Sequence, residues 1–178
     1  LKKEGAKSLV FDVRSTYDGT IEYTCRVIDY LVPTATEGNK ALATLVDKNG
    51  NNVKTYSSDA KDITMPMAVL INSDTAGYGE LFACDLKDFG KAFLIGEKTA
   101  GRADVQETFE LSDGGAVVLT TSKMLPYISE SFDGKGLTPD TEIILADSLR
   151  ENLSTLEKER DTQLQAAISM LAGNSSEG

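Results

Sequence analysis

Three short segments hold the residue types that could carry chemistry: residues 12–19 (DVRSTYDG), 72–80 (NSDTAGYGE) and 96–106 (GEKTAGRADVQ). Each follows or closes an apolar run typical of a buried strand. Ser73 and Thr75 offer hydroxyl groups for nucleophilic attack. The chain contains no histidine, which excludes a Ser-His or Cys-His pair and any imidazole metal site. A hydroxyl nucleophile would therefore need a different base.

The same segments could instead bind an anion. Gly77 and Gly79 stand at the start of a predicted helix, where N–H groups lack partners and glycine allows close backbone approach. Arg102 adds a fixed positive charge. Together these groups could hold the C-terminal carboxylate of a peptide. The alternative is an internal ion pair between this guanidinium and a nearby carboxylate, that of Asp18, Glu80 or Asp104.

Hydrophobic periodicity predicts the elements that position these segments. We predict buried strands at 8–13, 67–71 and 92–95, helices at 19–33 and 76–89, and β-hairpins at 41–56 and 106–121. The first helix has its apolar residues on one face, namely Ile21, Cys25, Ile28 and Leu31. The alternation of strands and helices indicates an α/β fold.

The C-terminal region predicts an amphipathic helix that ends near Gly173. Its apolar face is formed by Leu149, Leu153, Leu156, Leu164, Ile168 and Leu171. Ser148 and Glu151 have the spacing of a capping box. We expect one domain over residues 1–173, a disordered tail over 174–178, and, because the chain opens without Met, a longer precursor.

Composition excludes several classes of function. The formal net charge of −10 argues against nucleic acid as a partner, because duplex binding requires a basic surface. No apolar run is long enough to span a membrane, so we expect no membrane insertion by this domain. Cys25 and Cys84 permit one disulfide at most, and a buried free thiol is the commoner role for such residues.

Taken in order, three stretches resemble the C-terminal processing peptidases, also called tail-specific proteases. They are GAKSLVFDVRSTYDG, MPMAVLINSDTAGYGELFACDLKDFGKAFLIGEKTAGRADVQ and FELSDGGAVVLTTSKMLP followed by GKGLTPD, which together cover most of residues 5–140. The resemblance implies a Clp protease/crotonase-like core of β-β-α units, here with a β-hairpin excursion and the C-terminal helix. It also implies a serine-type peptidase that uses a Ser-Lys dyad and no cofactor or metal.

The dyad positions of the family are substituted in this chain. The pattern N-x-x-(S/T)-A-S-A-x-E places the family's serine nucleophile at Gly77, which has no side chain with which to form an acyl-enzyme. The pattern G-E-K-T-x-G-K-x-x-x-Q places the lysine base at Arg102 and keeps the orienting glutamine as Gln106. Guanidinium cannot give up its proton in a protein, so Arg102 cannot act as the base.

The glycine turn of the family, which supplies N–H groups to the oxyanion hole, corresponds to Asp18 and Gly19. If the loop keeps the family's course, Asp18 brings a negative charge to the place where negative charge develops during acyl transfer. A solvated turn residue is the simpler interpretation of Asp18. Tyr78 also departs from the family's pattern of small residues beside the nucleophile, at a position we assign to the peptide or oxyanion site.

A relocated dyad is the remaining route to catalysis. Ser73 and Thr75 are the fallback nucleophiles, Thr99 is a third hydroxyl, and Lys98 is an amine in the same region. A dyad requires hydrogen-bond contact between nucleophile and base, which adjacency in sequence does not supply.

We therefore expect a catalytically inactive member of the family that binds extended peptide or a protein C-terminus. The resemblance implies an extracytoplasmic location, in the periplasm or at the cell surface. Two alternatives stay open. One is an active serine peptidase whose site is relocated or completed by another subunit, and the other is a structural domain that supports homo-oligomerisation through its C-terminal helix.

Overall fold

Two four-stranded sheets form the framework of the computed structural model, which describes residues 2–33, 41–58 and 63–174. The strands are β1 (Leu9–Asp12), β2 (Ala41–Val46), β3 (Asn52–Ser57), β4 (Met67–Ile71), β5 (Ala92–Gly96), β6 (Asp104–Glu110), β7 (Ala116–Leu125) and β8 (Thr141–Glu142). The helices are α1 (Ile21–Leu31), α2 (Tyr78–Asp88), α3 (Asp147–Arg150) and α4 (Thr162–Asn174). Three short 3₁₀ helices complete the described secondary structure.

The first sheet is parallel and has the order β1-β4-β5-β8. Every residue of β4 is buried, because this central strand is covered on both faces. Side chains from α1 and α2 pack on one face, and Ala167 and Leu171 of α4 pack on the other. The carboxyl ends of β1, β4 and β5 consequently meet at one edge, where the three candidate segments begin.

The second sheet is antiparallel and has the order β3-β2-β7-β6. Both predicted hairpins are present, β2–β3 and β6–β7. The hairpin of β6 and β7 starts at Asp104 rather than at Gln106, so the end of the third candidate segment is itself part of a strand. This extension fixes the backbone that follows Arg102.

Helix α1 buries the face that the hydrophobic periodicity of its sequence predicted. The four predicted apolar residues are its buried residues, and the Thr20 side chain caps the N-terminus by accepting from the Tyr23 N–H. The cysteines on α1 and α2, Cys25 and Cys84, are both free and buried. Burial raises the pKa of each thiol to about 12.

The C-terminal helix is shorter than predicted. Residues 147–160 form α3 and two 3₁₀ helices, and α4 begins only at Thr162. The side chain of Asp161 accepts the Leu164 N–H at 3.0 Å and so starts the helix there, rather than Ser148 with Glu151. The expected apolar face is also wrong at Ile168, which is 47% exposed. Asn174 lies in α4, and the rest of the predicted tail lies outside the described residues.

A buried ion pair attaches this C-terminal region to the parallel sheet. Arg14, just after β1, donates to Asp161 at 2.7 and 3.1 Å and to Gln163 at 2.9 Å. It also donates to Asp12 at 2.6 and 2.9 Å, which completes the hydrogen bonding of the guanidinium. Among the described residues, no helix is long and apolar enough to cross a membrane.

Candidate functional site

The three candidate segments converge on one cleft at the carboxyl edge of the parallel sheet. The cleft has a volume of about 450 Å³. It is lined by Tyr17, Asp18, Gly19, Ala76, Gly77, Tyr78, Arg102, Asp104 and Gln106. All six residues that the sequence assigned to the family's dyad, glutamine and oxyanion positions are thus brought together.

A buried asparagine joins the first two segments. Asn72 accepts the Ser15 N–H at 2.8 Å and donates to the Ser15 hydroxyl at 3.1 Å. Ser15 has a φ of 56°, a left-handed conformation that this double contact supports. The Ala76 N–H also donates to the Thr16 carbonyl at 2.9 Å. The loop after β1 is therefore fixed against the start of α2.

The carboxylate of Glu80 joins the second and third segments. Glu80 is 0% exposed. It accepts the N–H groups of Gly77 at 3.1 Å, Gly101 at 2.7 Å and Arg102 at 2.8 Å, and the hydroxyl of Thr99. Four donors compensate the desolvation of this carboxylate. Its role is to position the backbone on which the cleft is built.

Residues with a side chain rarely adopt the backbone conformation of Gly77, although the space around this residue would accommodate a Cβ atom. Its φ is 58° and its ψ is −115°. A Cβ atom added there would lie 3.8 Å from the Tyr17 carbonyl and 3.9 Å from the Arg102 carbonyl, which are ordinary contacts. The position lies at the N-terminus of α2 and faces both neighbouring segments. Steric exclusion therefore does not explain the glycine.

Most of the N–H groups that the sequence suggested for a ligand are already used, which corrects that expectation. The Gly77 N–H donates to Glu80, and the Gly79 N–H donates to the Ala76 carbonyl at 3.1 Å. Only the Tyr78 N–H finds no acceptor among the residues that the structure describes. The reason is the capping geometry of α2, in which a glutamate three residues after the cap folds back.

In the turn after β1, the N–H group that the sequence assigned to the oxyanion hole is also engaged, in this case by the side chain of Asp18. Its Oδ1 atom accepts the Gly19 N–H at 2.7 Å. Asp18 thus lines the cleft with a carboxylate and also engages a donor that could otherwise stabilise an oxyanion. The interpretation of Asp18 as only a solvated turn residue is incomplete, since the residue is exposed but belongs to the cleft wall.

Arg102 lines the cleft, and its guanidinium forms no ion pair with the residues that the structure describes. Within the described parts of the chain, no carboxylate lies within 4.0 Å of it, including those of Asp18, Glu80 and Asp104. Glu80 contacts only the main-chain N–H of Arg102. The alternative of an internal pair is therefore wrong in this structure. Gln106 is exposed on the same wall.

Tyr78 separates the cleft from two neighbouring cavities, since its side chain lines all three. The ring lies over the turn, with its Cδ2 atom 3.7 Å from the place where a Cβ atom of Gly19 would be. Burial, and then the charges of Glu22 and Asp18, raise the pKa of the Tyr78 phenol above its ordinary value. The phenol is therefore neutral and can only act as a hydrogen-bonding or packing group at physiological pH.

The fallback nucleophiles lie outside the cleft. Thr75 is fully buried, and its hydroxyl lies 2.9 Å from the Val13 carbonyl and 3.1 Å from the Asn72 side-chain oxygen. Ser73 and Lys98 are exposed but line neither the cleft nor its neighbours. The Thr99 hydroxyl donates to Glu80 and accepts the Leu137 N–H at 2.7 Å. None of these three hydroxyl groups is therefore paired with the Lys98 amine as a dyad.

Sequence reasoning missed the positioning roles of Glu80 and Asn72. A signal for Glu80 was present, because a glutamate three residues after a helix-starting glycine has the spacing of a capping box. No local signal marked Asn72, whose partner Ser15 is 57 residues away. Non-local hydrogen bonds of this kind follow only from the strand order.

Comparison with known proteins establishes the family. The family model of peptidase family S41 matches residues 1–143. A carboxyl-terminal-processing protease of Picosynechococcus sp. is 30% identical over 172 residues, covering 96% of this chain and 39% of that protein. The chloroplastic carboxyl-terminal-processing peptidase 1 of Arabidopsis thaliana is 33% identical over 156 residues, covering 86% of this chain and 31% of that protein. The chain therefore belongs to peptidase family S41 and spans less than half the length of these relatives.

Solved structures agree with the predicted fold. The photosystem II D1 C-terminal processing protease superposes with a TM-score of 0.70 at 29% identity, covering 80% of this chain and 36% of that one. The tricorn protease superposes with a TM-score of 0.54 at 20% identity, over 93% of this chain and 15% of that one, a likeness of fold alone. The α/β, Clp protease-like fold inferred from the motifs is confirmed.

Proposed function

We propose that this domain binds the carboxylate end of an extended peptide or protein partner and does not cleave it. The observation that carries the proposal is that Arg102 lines a cleft with no hydroxyl at Gly77 and has no ion pair among the described residues. A peptidase of this kind needs an attacking group and a proton acceptor, and the cleft offers glycine and guanidinium at the family's two positions.

Arg102 and the Tyr78 N–H, which has no acceptor among the described residues, are two donors available to a carboxylate. A guanidinium can bind both oxygens of a carboxylate at once, and the N–H group at the start of α2 adds the favourable end of the helix dipole. Asp18 and Asp104 line the same cleft, so the site presents both signs of charge. A polypeptide terminus that carries a carboxylate and basic or amide groups is complementary to it.

Family membership supports our proposals for the partner and for the place of action. Relatives named as processing proteases act on polypeptides, so a polypeptide C-terminus is the ligand class that we infer for this cleft. We infer an extracytoplasmic site of action, in the periplasm or at the cell surface. This location rests on the resemblance of the sequence to the family.

Peptide titration followed by NMR tests binding. Short peptides with a free C-terminus should shift the amide resonances of Gly77, Tyr78 and Arg102. The same peptides with a C-terminal amide should bind at least tenfold more weakly, because a hydrogen bond to a charged group contributes about 1.5–3 kcal/mol. Arg102→Gln should greatly reduce the difference between acid and amide, leaving only the contribution of the Tyr78 N–H. The matched control is Lys98→Gln, which removes an exposed charge outside the cleft. Equal binding of acid and amide by the unsubstituted protein would contradict the proposal.

Cleavage is tested separately. Unfolded protein substrates and the same peptides should yield no new termini in mass spectrometry after prolonged incubation. Turnover that is lost on substitution of Ser73 or Thr75 would support the relocated dyad instead.

A further inference from the structure

A second cavity of about 270 Å³ adjoins the cleft, between the carboxyl end of β1 and helices α1 and α2. Asp18 and Tyr78 line both cavities, so a ligand in the cleft lies next to this one. The other lining residues are Phe11, Asp12, Val13, Thr16, Tyr23, Thr24, Val27, Gly79 and Phe82. Its volume lies just below the range of about 300–1,000 Å³ for pockets that hold drug-sized ligands, so it suits one side chain.

Aromatic and aliphatic groups form the walls. Phe11 and Phe82 both line the cavity and meet edge to face, with ring centroids 5.2 Å apart. Tyr78 and Tyr23 add two more aromatic rings to the lining, and Tyr23 remains 68% exposed. Such walls bury an aliphatic stem, and aromatic ring faces attract a cation.

Among the residues that the structure describes, the charged groups in the lining of this cavity are carboxylates. Asp12 and Asp18 belong to that lining, and none of the described lysines or arginines does. Asp12 is already paired with Arg14 at 2.6 Å. Asp18 accepts the Gly19 N–H through one oxygen, and its other oxygen has no partner in the described part of the chain. The unbalanced charge is therefore negative and lies on the side that faces the cleft.

We infer that this cavity is a subsite for a long aliphatic side chain that ends in a cation, such as lysine, near the carboxyl end of the bound peptide. The inference rests on the proposed function, since the cleft and its carboxylate site bring the peptide to the cavity. The stem lies against Val27 and Phe82, and the ammonium group lies between Asp18 and the rings of Tyr23 and Tyr78. The ligand class is thus a peptide with a basic residue among its last two positions.

Binding of matched peptides tests the subsite. Fluorescently labelled alanine peptides carry lysine, norleucine or glutamate at the last or the penultimate position, each as free acid and as amide. At one of the two positions, the lysine peptide should bind about fivefold more tightly than the norleucine peptide, which is the effect expected of one exposed ion pair with a cation–π contact. The glutamate peptide should bind more weakly than either. Amide resonances of Val27 and Gly79, which line this cavity and not the cleft, should shift with the lysine peptide.

Variants separate this subsite from the carboxylate site. Asp18→Asn should reduce the preference for lysine over norleucine to less than twofold, and it should raise the preference for acid over amide, because it removes a negative charge from the wall of the carboxylate cleft. Asp74→Asn, an exposed carboxylate outside both cavities, should leave both preferences unchanged. Equal binding of lysine and norleucine by the unsubstituted protein overturns the subsite alone. Equal binding of acid and amide with lysine still preferred overturns the proposed function, and with it the placement of the subsite at the carboxyl end of the peptide, while the preference for a basic side chain stands. Failure of every peptide to bind overturns both.

Discussion

The carboxylate of Glu80 accepts the main-chain N–H of Arg102 at 2.8 Å, and this contact ties the loop after β5 to the first turn of α2. The same carboxylate accepts the Gly77 N–H at 3.1 Å. The two positions that the sequence assigned to the family's base and nucleophile are thus connected through one buried side chain. Glu80 therefore fixes the backbone of both positions relative to each other.

Loss of the Glu80 carboxylate should destabilise the fold. Glu80→Ala leaves four buried donors without an acceptor, and the free energy of unfolding should fall by at least about 3 kcal/mol. Urea denaturation followed by circular dichroism measures the change. Glu22→Ala is the matched control, because its ion pair with Lys54 is exposed and such pairs contribute about 0–1 kcal/mol. Equal losses in the two variants would show that Glu80 has no special role.

The Arg14–Asp161 pair predicts a pH-dependent contribution to stability. Burial alone would raise the pKa of Asp161, but hydrogen bonds from Arg14 outweigh it and hold this pKa below its ordinary value. The stabilisation is therefore present above the unfolded pKa of about 3.9 and is lost as the pH falls through the lower folded value.

Asp161→Asn should accordingly cost about 3–5 kcal/mol at pH 7, the range for breaking a buried ion pair, and much less at the most acidic pH at which the protein stays folded. Glu130→Gln serves as the control, since its pair with Lys135 is exposed on both sides. A cost that does not change with pH would contradict the assignment.

Asp85 predicts a pH dependence of the opposite sign. It is fully buried, accepts the Tyr127 N–H at 3.0 Å through one oxygen, and has no partner for the other oxygen among the described residues. Burial raises its pKa well above the ordinary value. The folded state then binds more protons than the unfolded state, so stability falls as the pH rises above about 3.9.

Asp85→Asn keeps the acceptor and removes the titration. The variant should be more stable than the unsubstituted protein at pH 7, and the gain should disappear near pH 4. Denaturation midpoints at several pH values measure this trend, and Asp74→Asn, an exposed carboxylate, should not reproduce it. A variant that is less stable at pH 7 would indicate that the ionised carboxylate is tolerated in the core.

The sequence was informative where its signals are local. The buried residues of α1 follow from helical periodicity, because this helix buries one face, and the span of β4 follows from its continuous apolar run, because every residue of that strand is buried. The convergence of three segments followed from the motif order. Prediction failed over residues 147–160, where leucines continue a helical spacing that the chain does not adopt.

Contacts distant in sequence explain that failure. The start of α4 is set by Asp161, and Asp161 is held by Arg14 after β1, 147 residues away. The use of the Gly19 N–H was likewise invisible, since it depends on the side-chain rotamer of Asp18. Patterns within one element do not contain this information.

Restoring the dyad should not by itself restore chemistry. Gly77→Ser with Arg102→Lys supplies both groups, and the space at Gly77 accepts a Cβ atom. The Gly19 N–H would still be engaged by Asp18. Because one oxyanion donor contributes about 10²–10³ in rate, adding Asp18→Gly should speed fluorophosphonate labelling of the double variant about a hundredfold. Asp74→Gly in place of Asp18→Gly is the control, and equal rates would contradict the role assigned to Asp18.

The unsubstituted protein provides the most direct test of the central claim, that no group in this cleft can begin acyl transfer. Excess fluorophosphonate is incubated with the folded protein, and the intact mass is measured over time. We predict an unchanged mass. A stable adduct on any hydroxyl that lines the cleft, located by peptide mapping, would contradict the account.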